Sequence, residues 1–536
     1  MAEKRTIGLM DPNYYAFIVT LEKLIANVCA KVEYKGKTYD IATKRMKCKP
    51  YDVLDAWTET SVIMNRGAHW NRHRGSFFEI VGWKSHLIYN MFSFKAIDKN
   101  AGYGMMHELG LKVPATWAIP QKDYSKMFEN TESNLQVDLL FGEHELFDLE
   151  KIGEAVGYPA YIKPQDGGGW VGVTKVNNYE ELRQAYDKSE DKPMNLQKSV
   201  EYREFCRSVG VGPQVMPMHY NASAKFSHDR YLRNENQAVE FDFLSKKEEA
   251  EITKITKIIN AFYGWDHNSC ESLLTDSGDT YIIDYINAYP DSSLTSLHFY
   301  FPGLVKAMAK WLIFCAVVGR PEGYDFMKNW PKFYAVRDEA KKKNWSYEKL
   351  LDEYEKIADE YWQRDEFEKF CKENLKDFDA KALEFFSGEE FDKILNEDIS
   401  RFFRVKEERP AKYAHYRGIL DFWAHCENEK LNPSKPTEAK KETKKVEPTK
   451  AVKTAVKEPV KTVKKIEPKV TEIKPVAVAA VKTEVKPITK VEVKPVVKAE
   501  VKPVVKTEVK PVVKADVKPV VKAEVKPVIK IETKKI

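Results

Sequence analysis

Every aromatic residue of this 536-residue chain precedes Asn432, and this boundary decides which part of the chain can build a hydrophobic core. From Asn432 onward the chain has 28 lysines, 13 acidic residues and 12 prolines, but no glycine, histidine, cysteine or aromatic residue. This C-terminal segment carries a charge of +15, and because the net charge of the chain is +6, the preceding body carries −9. The body is long enough for about three domains of ordinary size.

The C-terminal segment repeats an eight-residue unit, for example at 493–500 (VKPVVKAE) and 501–508 (VKPVVKTE). A proline in each unit interrupts helices and strand ladders, and the valines are too sparse to build a core. We therefore predict a disordered, extended tether of Lys, Pro, Val and Glu repeats over residues 432–536. An arm that contacts nucleic acid or another acidic partner is the alternative, although the interleaved acids dilute its positive field. The alternating valines also allow an assembly element.

The seven cysteines are widely spread and show no CxxC spacing. This spacing supports neither a zinc site nor a disulfide framework, and reduced thiols in a cytoplasmic protein are the prediction. The N-terminus lacks the long apolar core of a signal peptide. The apolar run at residues 311–318 is too short to cross a bilayer, so we expect a soluble protein without a membrane partner.

Strand and helix patterns alternate in the first part of the body, with a strand at 6–10, a helix at 14–30 and a strand at 61–64. This alternation predicts an open α/β domain over residues 1–95. Short strands and helices continue to about residue 297, with helices predicted at 97–109, 149–156, 179–188 and 246–263. Helical periodicity dominates residues 301–431, where aromatic pairs such as Phe385–Phe386 and Phe402–Phe403 are expected in the core.

A basic loop follows the strand pattern at 61–64, at the end of a strand where ligands of open α/β sheets commonly bind. Arg66, His69 and Arg72 in this loop are candidates for holding an anionic substrate. Solvated loop residues and packing by Trp70 explain the pattern equally well. His69 and His73 have no evident third ligand, so we predict no metal site in this loop.

The segment 161–173 (YIKPQDGGGWVGV) joins two strand patterns through Gly167, Gly168 and Gly169. Glycine backbone lets amide N–H groups crowd onto an anion, so this loop is a candidate flap over phosphates. Lys163 precedes the glycines, and Lys99 lies 64 residues before Lys163. Two lysines near phosphates neutralise charge that would repel an incoming nucleophile. Taken alone, glycine-rich turns and exposed lysines are common without any ligand.

Residues 194–212 read as a strand, a break and a second strand. Such a break exposes backbone groups from Gln197 to Val200 that can pair with the edge of an adenine ring. Glu204, a few residues later, can accept hydrogen bonds from ribose hydroxyls. An exposed strand residue explains Glu204 equally well.

A β-hairpin is predicted over residues 269–287, with its turn at the DSGD sequence of residues 276–279. Glu271 near the start of one strand faces Asp284 and Asn287 near the end of the other. Two carboxylates and an amide suit Mg²⁺ or Mn²⁺, with nucleotide phosphates completing the octahedron. Asp284 follows two isoleucines, and a carboxylate is costly in apolar surroundings unless it is paired or bound to metal.

Together, these elements resemble the ATP-grasp superfamily in their order and approximate spacing. They are Lys99, Lys163, the three-glycine loop, the break at 197–204 and the hairpin with Glu271, Asp284 and Asn287. The resemblance covers about residues 1–300. It implies an α/β and α+β fold, with an open α/β pre-ATP-grasp domain over 1–95 and a two-lobed ATP-grasp domain over 96–300. The helical module (301–431) and the tail (432–536) lie outside it.

The resemblance also implies roles for individual residues. The residues implied to bind ATP are Lys99, Lys163, Gly167, Gly168, Gly169, Gln197, Val200 and Glu204, and those implied to bind the metal are Glu271, Asp284 and Asn287. Lys225 resembles a lysine that some members place near the γ-phosphate. Arg230 is the candidate for stabilising a tetrahedral intermediate, with a surface arginine on a mobile loop as the alternative.

Two positions depart from the superfamily pattern. The last motif normally has an acid two residues before the asparagine, whereas Asp284 lies three residues before Asn287. A β-bulge would restore the geometry, because it shifts one residue without ending the strand. Without a bulge, Tyr285 takes the acid position and one metal site is damaged. The break also has Lys198 where acids are common.

The implied activity is that of an ADP-forming carbon–nitrogen ligase. ATP would phosphorylate a carboxylate, and an amine would attack the acyl phosphate, with small-molecule or peptide acids and amines as substrates. The first alternative is a phosphotransferase on the same scaffold, which leaves a stable phosphorylated product. The second is a non-catalytic ATP-binding scaffold whose tail binds nucleic acid or a partner.

Overall fold

The computed structural model describes residues 2–94, 99–124, 145–167, 169–231, 243–287, 289–320, 323 and 325–433. The described residues all lie in the first of the two units into which the chain divides, Met1–Lys441. The predicted disordered tail lies outside the described residues from residue 434 onward, so its disorder and its partners stay predictions. The first unit contains the elements that follow.

A five-stranded, mostly parallel sheet forms the first part of the chain. Its elements in chain order are β1 (Glu3–Met10), α1 (Tyr15–Val28), β2 (Lys31–Tyr34), β3 (Lys37–Arg45), β4 (Val62–Asn65), α2 (Arg72–Val81), β5 (His86–Leu87) and α3 (Met91–Phe94). The strand order is β2-β3-β1-β4-β5, with only β2 antiparallel to its neighbour. This is the open α/β architecture predicted for the N-terminal part.

Two four-stranded antiparallel sheets follow and form the two predicted lobes. The first has the order β6-β9-β7-β8, and its elements are α4 (Lys99–Glu108), β6 (Thr116–Ile119), α5 (Leu149–Val156), β7 (Ala160–Pro164), β8 (Thr174–Val176), α6 (Tyr179–Asp187) and β9 (Met194–Lys198). The second has the order β11-β10-β12-β13, and its elements are β10 (Glu204–Val211), β11 (Gln214–His219), α7 (Lys246–Tyr263), β12 (His267–Leu274) and β13 (Thr280–Asp284). The fold class is therefore confirmed, whereas the exact domain boundaries stay predictions.

Helices make up the rest of the described chain, as predicted. They are α8 (Leu294–Leu297), α9 (Phe301–Val317), α10 (Trp330–Lys343), α11 (Tyr347–Tyr361), α12 (Arg364–Asn374), α13 (Phe378–Ser387), α14 (Glu389–Phe402) and α15 (Arg409–Leu431). One hydrophobic core runs from Ile7 in β1 through Trp311 in α9 to Trp423 in α15. The helical region therefore shares its core with the first sheet and the second lobe.

Helix α9 crosses the centre of this core. The stretch Leu294–Val317, which contains α8 and α9, is long and apolar enough to span a membrane. Of its most apolar 18 residues, 78% are buried inside the protein. This stretch is longer than the apolar run at residues 311–318 that the sequence shows, but its burial is that of a core helix. At its edge, Lys306 and Lys310 each lie 2.8 Å from the carboxylate of Asp379 in α13, which anchors their ammonium groups.

Helix α7 has the bounds predicted from the sequence, because its ends are chemically marked. Ser245 and Glu248 form a capping box at its N-terminus, which satisfies two backbone N–H groups. Gly264 ends the helix with φ +67°, and a Cβ atom there would lie 2.8 Å from the Cβ of Phe326. Because β12 begins shortly after Gly264, this cap fixes where the strand that carries Glu271 starts.

We expect Leu312→Ala in α9 to lower the free energy of unfolding by about 3 kcal/mol, because it leaves a cavity among fully buried neighbours. Leu431→Ala, near the exposed end of α15, is the matched control and should change it by less than about 0.5 kcal/mol. Urea denaturation followed by circular dichroism measures both. Equal losses in the two variants would contradict a core centred on α9.

Candidate functional site

A cavity of about 1150 Å³ lies where the two antiparallel sheets meet α1 and α14. It is larger than the range of about 300–1,000 Å³ usual for one small ligand, so it has room for a nucleotide and a second molecule. Of the candidate site residues, those that line it are Lys99, Lys163, Gly167, Gly169, Gln197, Val200, Arg230, Glu271, Asp284, Asn287 and His69. The structure thus brings residues from all five elements of the predicted resemblance to one place.

The predicted hairpin of β12 and β13 contains a β-bulge beside Glu271. Asp284 pairs with Glu271, whereas Ser272 pairs with Ile282, so Ile283 is the extra residue of β13. The bulge precedes Asp284, although the extra residue of the sequence motif follows it. It nevertheless sets the two carboxylate residues directly opposite each other across the strands.

The bulge also frees a carbonyl group for the cavity. The carbonyl oxygen of Ile283 accepts hydrogen bonds from the Tyr103 hydroxyl at 2.5 Å and from Lys163 Nζ at 3.2 Å. Lys163 Nζ also donates to the Tyr103 hydroxyl at 2.8 Å and to Gln197 Oε1 at 2.9 Å. Lys163 is therefore held in position by α4, β9 and β13 together, and the side chain of Gln197 orients this lysine.

Lys163 is buried among charged groups. The pKa of its ammonium is lowered to about 8, mainly by burial; the Asp284 and Glu271 carboxylates raise this pKa and the Lys99 cation lowers it. Lys99 Nζ lies 3.2 Å from Asp284 Oδ2. An anion that enters the cavity would favour the charged form of Lys163.

The hairpin residues fit a divalent metal ion. Asp284 Oδ1 is buried and has no hydrogen-bond partner among the described residues. Glu271 supplies a second carboxylate directly opposite. Asn287 Oδ1 accepts the backbone N–H of Tyr289 at 3.2 Å and has a second lone pair for a ligand. Hard oxygen donors of this kind suit Mg²⁺.

Arg207 is a cavity residue that the sequence analysis missed. It lies on β10 opposite Glu271 and forms an ion pair with that carboxylate. Burial alone would lower the pKa of the Arg207 guanidinium, but Glu271 beside it raises this pKa well above the usual value. The alternation of side chains along β10 could have revealed Arg207, because Phe205 and Arg207, two residues apart, both line the cavity.

The same alternation corrects the prediction for Glu204. Cys206, two residues later, packs against Ile252 of α7 on the other face of the sheet. Glu204 shares this face, does not line the cavity, and has an oxygen 3.8 Å from Nε2 of His219. The structure therefore does not place Glu204 where it could hold a ribose in this cavity.

The predicted substrate residues of the basic loop also need correction. Arg66 is fully buried, and its guanidinium donates to Asp11 Oδ2, the Tyr89 hydroxyl and the Pro290 carbonyl oxygen, each at 2.6 Å. Arg66 does not line the cavity; it holds Asp11, which does. Arg72 begins α2 with an exposed side chain and does not line the cavity.

His69 lines the cavity but is a poor anion site. Burial lowers the pKa of its imidazole to about 4, and the neighbouring Arg66 cation lowers it too, so His69 is neutral at pH 7. Lys225 is exposed, with its ammonium 5.3 Å from the centre of the Phe226 ring, and does not line the cavity. Arg230 does line it, and its guanidinium donates to the Tyr220 hydroxyl at 3.0 Å.

The glycine loop has the backbone of a flap. Gly167 and Gly169 have φ values of +117° and +67°, which favour glycine, and a Cβ atom on either would meet open space. The loop therefore needs glycine for its backbone and leaves room on its surface for a ligand. Gly168, the third predicted flap glycine, lies outside the described residues.

Helix α14 supplies one wall of the cavity through Asp398, Arg401 and Phe402. Phe402 was expected in the core, but it is 45% exposed. Burial raises the pKa of the Asp398 carboxyl to about 6, although Arg401 and the backbone N–H of Ala16 counteract this effect. The helical region therefore contributes charged groups to the cavity, in addition to its packing role.

Asp284→Asn is expected to weaken Mg²⁺-dependent ATP binding by about tenfold or more, because it removes the charge of one proposed ligand. Isothermal titration calorimetry with ATP, with and without Mg²⁺, measures the change. Asp279→Asn is the matched control, since Asp279 lies in the turn of the same hairpin and pairs with Lys112. Equal weakening in both variants would show that the effect comes from the hairpin's stability.

Proton uptake should accompany ATP binding near and above pH 8. Lys163 loses its proton as the pH rises through about 8, and triphosphate oxygens would favour the return of that proton. Calorimetry in buffers of different ionisation enthalpy measures the uptake, and ATP affinity should fall over the same pH range. Lys163→Met should bind ATP weakly and without this uptake; an unchanged uptake in the variant would assign it to another group.

Part of the chain is similar to known proteins. Residues 116–308 match the family model described as D-ala D-ala ligase C-terminus. The D-alanine–D-alanine ligase of Heliobacterium modesticaldum is 29% identical over 91 residues, which covers 15% of this chain and 25% of the relative. The D-alanine–D-alanine ligase of Thermoanaerobacter sp. is 32% identical over 97 residues, which covers 15% of this chain and 27% of the relative. The chain thus matches about a quarter of the length of these relatives.

Among solved structures, the macrocyclase MdnC from Microcystis aeruginosa, bound with precursor peptide MdnA, aligns with 58% of this chain and 99% of its own, at 14% identity and a TM-score of 0.38. The D-alanine–D-alanine ligase from Bacillus anthracis aligns with 63% and 99%, at 16% identity and a TM-score of 0.36. The family-model match covers both antiparallel sheets, from β6 to β13. This match supports the predicted resemblance to the ATP-grasp superfamily over residues 116–308.

Proposed function

We propose that this chain, an ATP-grasp superfamily member, is an ATP- and Mg²⁺-dependent ligase that joins a carboxylate to an amine. The observation that carries this proposal is the pairing of Glu271 with Asp284 across the bulge, with Lys163 held against the same bulge. Opposed carboxylates and two lysines in one cavity provide the charges that a metal–triphosphate complex requires. Both carboxylates and Lys163 lie within the segment that matches the family model.

In this proposal ATP lies between the two antiparallel sheets. Val200, Phe205 and Leu273 give the cavity an apolar slot that suits the adenine ring. Lys163 and Lys99 bind the phosphate oxygens, and the loop with Gly167 and Gly169 covers them. Glu271, Asp284 and Asn287 hold Mg²⁺, which supplies charge neutralisation of the transferring phosphoryl group when it is bound.

The reaction begins when a substrate carboxylate oxygen attacks the γ-phosphorus, and the bond from this phosphorus to the oxygen of ADP breaks. Lys163 and Lys99 neutralise the charge on the phosphate oxygens during this step. The glycine flap excludes water, which would otherwise hydrolyse the acyl phosphate. The amine then attacks the acyl carbon, phosphate leaves and the nitrogen loses a proton.

Arginine side chains are placed to assist the second step. Arg230 lines the cavity, and its guanidinium, which donates to the Tyr220 hydroxyl, carries further N–H donors that suit a developing oxyanion. Arg207 forms an ion pair with Glu271 and holds that carboxylate in place beside the proposed metal position. Arg230 is therefore our candidate for the tetrahedral intermediate, and Arg207 positions Glu271.

The acid and amine would occupy the part of the cavity beyond the hairpin, between the N-terminus of α1 and Asp398 and Arg401 of α14. Groups of both charges meet there, which suits a substrate that carries an amine and a carboxylate. The curated relatives are named D-alanine–D-alanine ligases, so D-alanine is the first acid and amine to test.

A hydroxylamine trap tests the proposed chemistry. The purified full chain, given ATP, Mg²⁺ and a panel of carboxylic acids that starts with D-alanine, should release ADP and form a hydroxamate with the correct acid. Hydroxylamine replaces the amine and captures the acyl phosphate, so the amine need not be known. Colorimetric detection of the hydroxamate and coupled detection of ADP give the two readings.

Lys163→Met is the control and should lose both products, because it removes the phosphate-binding charge. ADP together with a stable phosphorylated acid and no hydroxamate would replace the ligase with a phosphotransferase. Tight ATP binding without ADP release, across acids with and without added amines, would indicate a non-catalytic scaffold.

A further inference from the structure

A second cluster of metal-ligand side chains lies away from the ATP cavity. It contains His86 of β5, Asp266 just before β12 and Cys315 of α9, and one ligand atom from each lies within 4.8 Å of the others. None of the three lines the cavity described above. The cluster joins the first sheet, the second lobe and the central helix α9.

The cluster is buried and leaves polar atoms unsatisfied. Asp266 is fully buried and Cys315 is 2% exposed. Asp266 Oδ2 accepts hydrogen bonds from His86 Nε2 and Trp311 Nε1, both at 2.6 Å. Asp266 Oδ1 and His86 Nδ1 are buried without a hydrogen-bond partner among the described residues. A bare carboxylate oxygen in such a place is costly unless a cation or water meets it.

We propose that His86, Asp266 and Cys315 bind a Zn²⁺ ion. An imidazole nitrogen, a carboxylate oxygen and a thiolate are all ligands of zinc, and their mixture does not suit Mg²⁺ or Ca²⁺. The carboxylate and the thiolate together neutralise the ion. Water fills the fourth tetrahedral position, which it reaches from the side of His86, whose side chain is 9% exposed.

The zinc ion stabilises the arrangement of the lobes and takes no part in ligation chemistry. Asp266 stands directly before β12, and Glu271 lies five residues further along the chain. Fixing Asp266 to β5 and α9 therefore fixes the start of the strand that carries a proposed Mg²⁺ ligand. This inference does not depend on the proposed ligase activity.

Cobalt substitution tests the site on the full chain. Metal analysis of the purified protein should find about one zinc per chain, and Co²⁺ in its place should give the near-ultraviolet thiolate-to-cobalt absorption of a cysteine ligand. Cys315→Ser should lose this absorption, and Cys371→Ser, a thiol of α12 outside the cluster, should keep it. Chelation of the zinc should also lower the melting temperature.

Two further variants keep the result interpretable if Cys315→Ser fails to fold. His86→Gln, at the edge of the cluster, should retain the thiolate absorption but bind zinc at least tenfold more weakly. Glu271→Gln should leave zinc binding unchanged. A wild-type chain that neither contains nor takes up zinc and gives no thiolate absorption with Co²⁺ would reduce the cluster to a hydrogen bond between His86 and Asp266. Loss of the metal in Glu271→Gln would assign it to the hairpin.

Discussion

The geometry of the cavity depends on the two hydrogen bonds that the carbonyl oxygen of Ile283 accepts. A regular strand would use this oxygen in its ladder, but the bulge releases it to Lys163 and Tyr103. One irregular residue therefore connects the second lobe to the first lobe and to α4. It also aligns Asp284 with Glu271. The same bulge therefore positions both the proposed phosphate-binding lysine, Lys163, and the proposed metal ligands.

The helical region makes the cavity deeper than the two sheets alone would. Its core is continuous with that of the first sheet, because α1 packs between β3 on one side and α9, α13 and α14 on the other. This packing places Asp398 and Arg401 of α14 beside the N-terminus of α1. The part of the chain outside the family match thus shapes the space where substrates other than ATP would lie.

Features with a local chemical signature could be predicted from the sequence. The capped helix α7, the hairpin and Lys163 are of this kind, since caps, turns and apolar periodicity act over a few residues. Predictions failed where the orientation of a side chain depends on distant packing. Arg66 was expected at a substrate but is buried and paired with Asp11. Glu204 was expected at the ribose, but it shares the face of β10 that carries Cys206, which is turned away from the cavity.

Residues that meet only in the folded chain left no pattern to find. Arg207 faces Glu271 from 64 residues away, and the cluster of His86, Asp266 and Cys315 comes from three separate segments without any CxxC spacing.

The bulge at Ile283 also bears on how such hairpins are recognised in a sequence. A motif defined by spacing along the chain rejects this hairpin, because Asp284 and Asn287 are one residue too far apart. A motif defined by which residues face each other across the strands includes this hairpin, because Glu271 faces Asp284. Divergent hairpins of this kind are therefore recognised by strand pairing and not by sequence spacing.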